Sequence, residues 1–70
     1  MARLYKGKKS INLRFVYNVL RWYYFGIREI ELANELGWQR RTLNNYLREL
    51  QVQNRIYKER TVWYADIKGR

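Results

Sequence analysis

The sequence predicts a mainly α-helical α+β domain: three helices followed by a C-terminal two-stranded β-hairpin. Two patterns carry this. Apolar residues recur at three- and four-residue spacing through three stretches that Gly26 and Gly37 separate, and such spacing marks helices with one inward face. After Asn54 it gives way to RIYKERTVWYADI, rich in the β-branched and aromatic residues that suit strands. A chain of 70 residues has room for one small domain. That domain is expected over residues 10–67, between a basic arm at 1–9 and a tail at 68–70.

Residues 1–9 lack periodicity and contain Lys-Gly-Lys-Lys, the composition of a flexible arm whose Lys6, Lys8 and Lys9 can track phosphates. Ser10 or Asn12 is suited to cap a first helix running to about Tyr24 or Phe25, since either side chain can accept from the first free N–H groups. Leu13, Val16, Tyr17, Leu20 and Tyr24 form its inward stripe, and Gly26 is expected to end it. Ile27 stands alone between two helical patterns, with room for a very short strand. A second helix is expected from about Glu29 to Leu36, its Glu29 and Glu31 in the first turn where the helix dipole favours anions. Ile30, Ala33 and Leu36 point inward, with Leu32 at the side. Gly37 stops this helix. A third runs from about Arg40 to Gln53, with Leu43, Leu47 and Leu50 on one face and Tyr46 beside them. The hairpin is expected to pair 55–58 with 62–66 across a charged break from Lys58 to Thr61.

Composition narrows the function. Hydrophobic content of 47% with 17% aromatic residues argues for a folded chain rather than a disordered one. The absence of cysteine and histidine removes disulfides, thiolate zinc sites, histidine ligands and most acid–base and nucleophilic machinery. No catalytic residues, metal, cofactor or small-molecule ligand are therefore expected, and the chain is not expected to be an enzyme. No apolar run reaches the roughly 18–20 residues of a membrane span and no signal-peptide pattern is present, so a cytoplasmic, nucleoid-associated and non-secreted protein with no membrane partner is expected. The net charge of +9 points to polyanionic partners, nucleic acid first. It is unevenly spread: +4 over residues 1–10, −2 over 28–37, and +4 over 39–60. An acidic segment flanked by basic ones lets the fold present a polarised surface.

Ala33 and Gly37 then take on meaning together. A small residue within a helix lets a second helix cross closely, and Gly accepts the left-handed backbone of a sharp turn. With Ile27, Glu31-Leu32-Ala33, Leu36-Gly37, Thr42-Leu43, Leu47, Leu50 and Asn54-Arg55-Ile56 at these spacings, residues 11–67 resemble the winged helix-turn-helix DNA-binding domains of small prokaryotic, archaeal or viral transcriptional regulators. Arg28 and Gln39 depart from the Ser or Thr caps usual there, and Asn54 replaces a usual Gly.

The resemblance implies that the third helix enters the major groove of double-stranded DNA. A wheel of residues 39–53 sets Arg41, Asn44, Arg48 and, more loosely, Asn45 opposite the leucines. Arg can fork onto guanine and Asn onto adenine, so these four are the base-facing candidates. Arg40, Thr42 and Gln39, near the helix start, are the backbone candidates. Lys58 and Arg60, near the wing tip, are candidates for the minor groove or backbone. Trp38 is expected in the core, and Trp63 and Tyr64 in the core or packed within the wing, with stacking on bases the lesser alternative. The first helix carries a second apolar group, Ile11, Phe15, Val19 and Trp22, beside its inward stripe. An apolar arc that wide exceeds what a one-sided surface helix needs, so a homodimer through the first helix is expected. A transcriptional regulator is the first reading. A winged-helix protein-interaction module within a larger complex, or RNA binding, are the alternatives.

Overall fold

The computed structural model describes residues 7–67; the remainder of the arm, including Lys6, and the 68–70 tail lie outside the described residues. The chain folds as α1 (Lys9–Trp22), β1 (Ile27–Arg28), α2 (Glu29–Leu36), α3 (Arg40–Val52), β2 (Ile56–Glu59) and β3 (Val62–Ala65). The strands form one antiparallel sheet in the order β1-β3-β2. Three helices and a small sheet were legible from the sequence, but the sheet has three strands rather than two. Ile27 pairs with Trp63 and Arg28 with Val62, so the short strand before α2 extends the hairpin.

The α2–α3 corner follows from a residue that can turn left-handed. Gly37 has φ 72°. Its N–H donates to Asn34 O at 3.3 Å, and the Trp38 N–H donates to Ala33 O at 3.1 Å. This pair of bonds is the Schellman termination, which satisfies carbonyls that a helix end leaves open. Trp38 turns inward and is buried, its ring centroid 5.9 Å from that of Phe15 and 5.9 Å from that of Tyr46. The same termination closes α3. Asn54 takes φ 61°, its N–H donates to Gln51 O at 3.0 Å, and the Arg55 N–H donates to Leu50 O at 3.0 Å. Asn serves there because its short polar side chain tolerates the left-handed region.

Leu43, Leu47 and Leu50 are fully buried, as are Leu32, Val16 and Leu20 from the other helices. Each such side chain contributes about 1.5–3 kcal/mol relative to exposure. α1 packs on α3 and β3, and α2 on α3, so α3 is the common neighbour. Asn12 is buried within α1 and donates to the Tyr46 hydroxyl at 2.9 Å, a polar tie between α1 and α3. Further along α1 the Tyr17 hydroxyl donates to Asp66 O at 3.2 Å, and the Arg55 guanidinium lies 4.3 Å from the centroid of the Tyr17 ring.

Several sequence expectations need correcting. α1 starts at Lys9 with Lys8 at its cap, and neither Ser10 nor Asn12 caps it; no side-chain cap is made. It stops at Trp22, short of Tyr24 and Phe25, so Tyr24 is 80% exposed in the following turn rather than inward. Gly26 therefore does not end the helix. In α2, Leu32 is fully buried and Ile30 is 50% exposed, the reverse of the expected order, because α2 turns its Leu32–Leu36 side toward the core. α2 starts without a side-chain acceptor at Arg28, as guanidinium has none to offer; instead the Arg28 N–H donates to Glu31 Oε1 at 3.3 Å. α3 ends at Val52, one residue before the expected Gln53. The hairpin pairs 56–59 with 62–65, which leaves only Arg60 and Thr61 in the turn. Arg60 alone of the two has positive φ, at 60°, the sign pattern of a type II′ hairpin turn.

Gly26 instead makes room for the sheet. It has φ 91°, and a Cβ there would meet Val62 Cγ1 and sit 2.6 Å from Tyr64 Cε1. Tyr64 in turn stacks on Tyr57 across the hairpin, with centroids 5.2 Å apart and planes 15° from parallel. Gly26→Ala is expected to destabilise the domain by about 2 kcal/mol or more, lowering Tm by roughly 10 °C. A thermal melt followed by circular dichroism measures this.

Candidate nucleic-acid interface

Burial of Leu43, Leu47 and Leu50 decides where the rest of α3 points. Arg41, Asn45, Arg48 and Val52 follow one another at four-, three- and four-residue spacing, and all four are exposed. They form a single outward row. Both flanks of that row are anchored. On the α1 side Lys9 Nζ lies 3.5 Å from Glu49 Oε1, and Tyr46 receives Asn12. On the α2 side Glu29 accepts twice: from Arg40 Nε at 3.2 Å and from Asn44 Nδ2 at 3.0 Å. The two acids nearest the row are thus both turned aside, each with a cation of its own, and the row contains no acid.

The expected base-facing set is therefore redistributed. Arg41, Arg48 and Asn45 stand outward, and Asn45 lies centrally rather than loosely at the edge. Asn44 is half-buried on the α2 flank, drawn there by the Glu29 carboxylate. Among the backbone candidates, Arg40 and Gln39 are exposed at the start of α3 and Thr42 is half-buried. Gln39 takes the cap position with no side-chain cap bond. Sequence reasoning missed Glu29. As the first residue of α2 it reads as a partner for the helix dipole, and nothing local signals a bond to a residue 15 positions on.

The hairpin joins this surface through a cleft of about 420 Å³ lined by Arg28, Glu29, Ile30, Arg40, Lys58 and Thr61. Lys58 and Thr61 come from the hairpin, Arg28 from β1, Glu29 and Ile30 from the start of α2, and Arg40 from the start of α3. Three cations, Arg28, Arg40 and Lys58, thus border one concave site. The Lys58 ammonium also lies 5.4 Å from the centroid of the buried Trp63 ring, a cation–π contact that steadies it at the rim. Arg60 stands at the tip of the turn. Of the arm candidates, Lys8 caps α1 and Lys9 belongs to its first turn, paired with Glu49, so neither is part of a free arm.

The apolar group expected to pair two copies is less continuous than its spacing implied. Phe15 and Val19 pack against the core and are half-buried, Phe15 against Trp38. Ile11 is 46% and Trp22 78% exposed. Phe25 and Tyr24 add exposed rings just beyond the helix, edge-on to one another with centroids 5.4 Å apart.

Among the described residues no acidic cluster is arranged to hold a metal ion, and no helix is long and apolar enough to cross a membrane. Comparison with family models, curated proteins and solved structures returns no match to this chain.

Arg60 separates stability from charge. A non-glycine residue in the left-handed region costs roughly 1–2 kcal/mol, and glycine recovers part of that against its own chain entropy. Arg60→Gly is expected to raise stability by roughly 0.5–1 kcal/mol, while Arg60→Ala keeps the strain and loses only the charge. Urea denaturation of the two variants side by side measures the difference.

Proposed function

We propose that this chain is a winged helix-turn-helix domain that binds double-stranded DNA sequence-specifically, as a transcriptional regulator. α3 enters the major groove and the β2–β3 hairpin is the wing, lying along the backbone or minor groove. The observation that carries this reading is the acid-free outward row of Arg41, Asn45 and Arg48, which continues through Arg40 to a cleft shared with Lys58 of the hairpin. Arg and Asn are the side chains best matched to guanine and adenine edges. Arg28, Arg40, Lys58 and Arg60 suit phosphates, which fix register but carry no sequence information. The protein-interaction reading calls for an apolar α3 surface, and Val52 is the one apolar residue in the outward row.

The same reading includes a homodimer through α1, on the smaller patch of Ile11 and Trp22. Two-fold pairing would set two α3 helices on one DNA face, about 34 Å or a multiple apart.

Selection from a random duplex pool, followed by binding isotherms at several salt concentrations, tests the function. If the four cations Arg28, Arg40, Lys58 and Arg60 meet phosphates, the log–log slope of affinity against salt is roughly −3.6. Arg41→Ala is expected to cost about 1–3 kcal/mol at one base pair and to relax preference there. An affinity flat in salt, or an Arg41→Ala variant with unchanged affinity and preference, overturns the reading. For the dimer, Tm is expected to rise with protein concentration, and Trp22→Glu to remove that rise. Phe15→Glu is the poorer probe, since Phe15 packs on Trp38 within the fold. Sedimentation as a monomer at high micromolar concentration refutes the pairing.

A further inference from the structure

We propose that Glu29 is a positioning residue for base recognition: it fixes which edge of the Asn44 amide, and which nitrogens of Arg40, are turned toward DNA. The proposal rests on the DNA-binding reading above and assigns a role to a residue that touches no base.

A carboxylate accepts hydrogen bonds and donates none. Asn44 meets Glu29 Oε1 at 3.0 Å. The amide must therefore turn its nitrogen to Glu29 and its carbonyl oxygen away. An asparagine side chain free in solvent has no such constraint and rotates to offer either edge. With one N–H held by Glu29, Asn44 keeps one N–H and Oδ1. That is the donor–acceptor pair that matches N7 and the N6 amino group of adenine.

Arg40 is treated in the same way. Its Nε donates to Glu29 Oε2 at 3.2 Å, with its side chain still 64% exposed, so the terminal nitrogens remain available to a phosphate at the cleft. Glu29 itself is only 12% exposed, and each of its oxygens has a partner. Its place is set from α2, where it is the first helical residue, and not from α3. One carboxylate on a neighbouring helix thus orients two successive contacts on the reading helix, four residues apart. The arrangement also offsets a charge: the Glu29 carboxylate is paired with Arg40.

Glu29→Gln tests the role because it keeps shape and changes only the pattern of donors and acceptors. The single oxygen of the glutamine goes to the charged Arg40 donor. Its NH2 then faces Asn44, which must turn Oδ1 inward and present only N–H outward. Wild type, E29Q, N44A and the double variant E29Q/N44A are compared on duplexes from the selected site with each base substituted in turn, and on scrambled duplex. N44A identifies the base pair that Asn44 reads. At that pair E29Q is expected to lower adenine preference about tenfold, while affinity for scrambled duplex stays the same or rises. In the double variant no further loss occurs there, since the two residues act through one contact. Each preference is a ratio of two affinities measured on one sample, so a lower folded fraction in E29Q does not alter it.

If E29Q keeps the full preference at the base pair sensed by Asn44, or weakens all duplexes equally, Glu29 is a strap between α2 and α3 and the proposal is overturned while the DNA reading stands. If N44A changes preference at no base pair, the proposal is overturned likewise. If wild type binds no duplex, the DNA reading fails and the role of Glu29 fails with it.

Discussion

The rest of the structure depends on the left-handed turn at Gly37. A helix of eight residues is too short to be stable on its own, and α2 persists because its end is closed by the Gly37 and Trp38 amides and its apolar side is laid on α3. Once the chain has reversed there, Trp38 has one place to go, into the corner between Phe15 and Tyr46. With Trp38 inside, the first turn of α3 is set, and the spacing of Leu43, Leu47 and Leu50 fixes its rotation. The outward row of Arg41, Asn45 and Arg48 is the geometric complement of those leucines. It costs no separate device: burying one side of the helix aims the other.

That logic explains which parts of the molecule could be read from sequence. The α3 core face, the α2 limits, Trp38 in the core, and the left-handed Asn54 all follow from local spacing or the preference of one residue. What could not be read involves partners far along the chain. Gly26 looks like a helix stop from its neighbours, yet its lack of a side chain is needed by Val62 and Tyr64. Ile27 becomes a sheet strand only because Trp63 is there to pair with it. Asn44 fell in the outward set on a helical wheel, and a wheel contains no Glu29. Ile30 and Leu32 exchanged roles because an eight-residue helix has too few apolar positions to define its rotation before the neighbours that bury it are known. At α1 the wheel runs two or three residues too far, past Trp22, and so credits Tyr24 to the core.

Charge is organised by the same packing. The net +9 sets the sign of the long-range field, but local pairing sets where it is felt. Lys9 with Glu49 and Arg40 with Glu29 stand on opposite flanks of α3. The Lys9–Glu49 pair, exposed on both sides, contributes little to stability, and the larger effect of the two pairs here is to keep both carboxylates out of the row between them. Arg55, by contrast, is occupied by the Tyr17 ring of α1. Counting basic residues along the sequence would treat it as equal to Arg41 or Arg48, although its work is to hold the base of the hairpin.

The two Schellman terminations bracket α3, one at its entry and one at its exit. The 13 residues between them act as a spacer of fixed phase as well as fixed length. Each residue of an α-helix advances about 100° around the axis. Inserting or deleting one residue between Leu50 and Asn54 would leave the leucine face intact yet swing the departing β2 strand around the helix by that angle. The hairpin would then leave on another bearing, and Lys58 would no longer share a cleft with Arg40 and Arg28. Side chains along this stretch can be exchanged with only local effect, whereas a change in residue count is transmitted to the whole sheet. In this fold the number of residues in α3 is itself a structural parameter, as binding as the identity of any one of them.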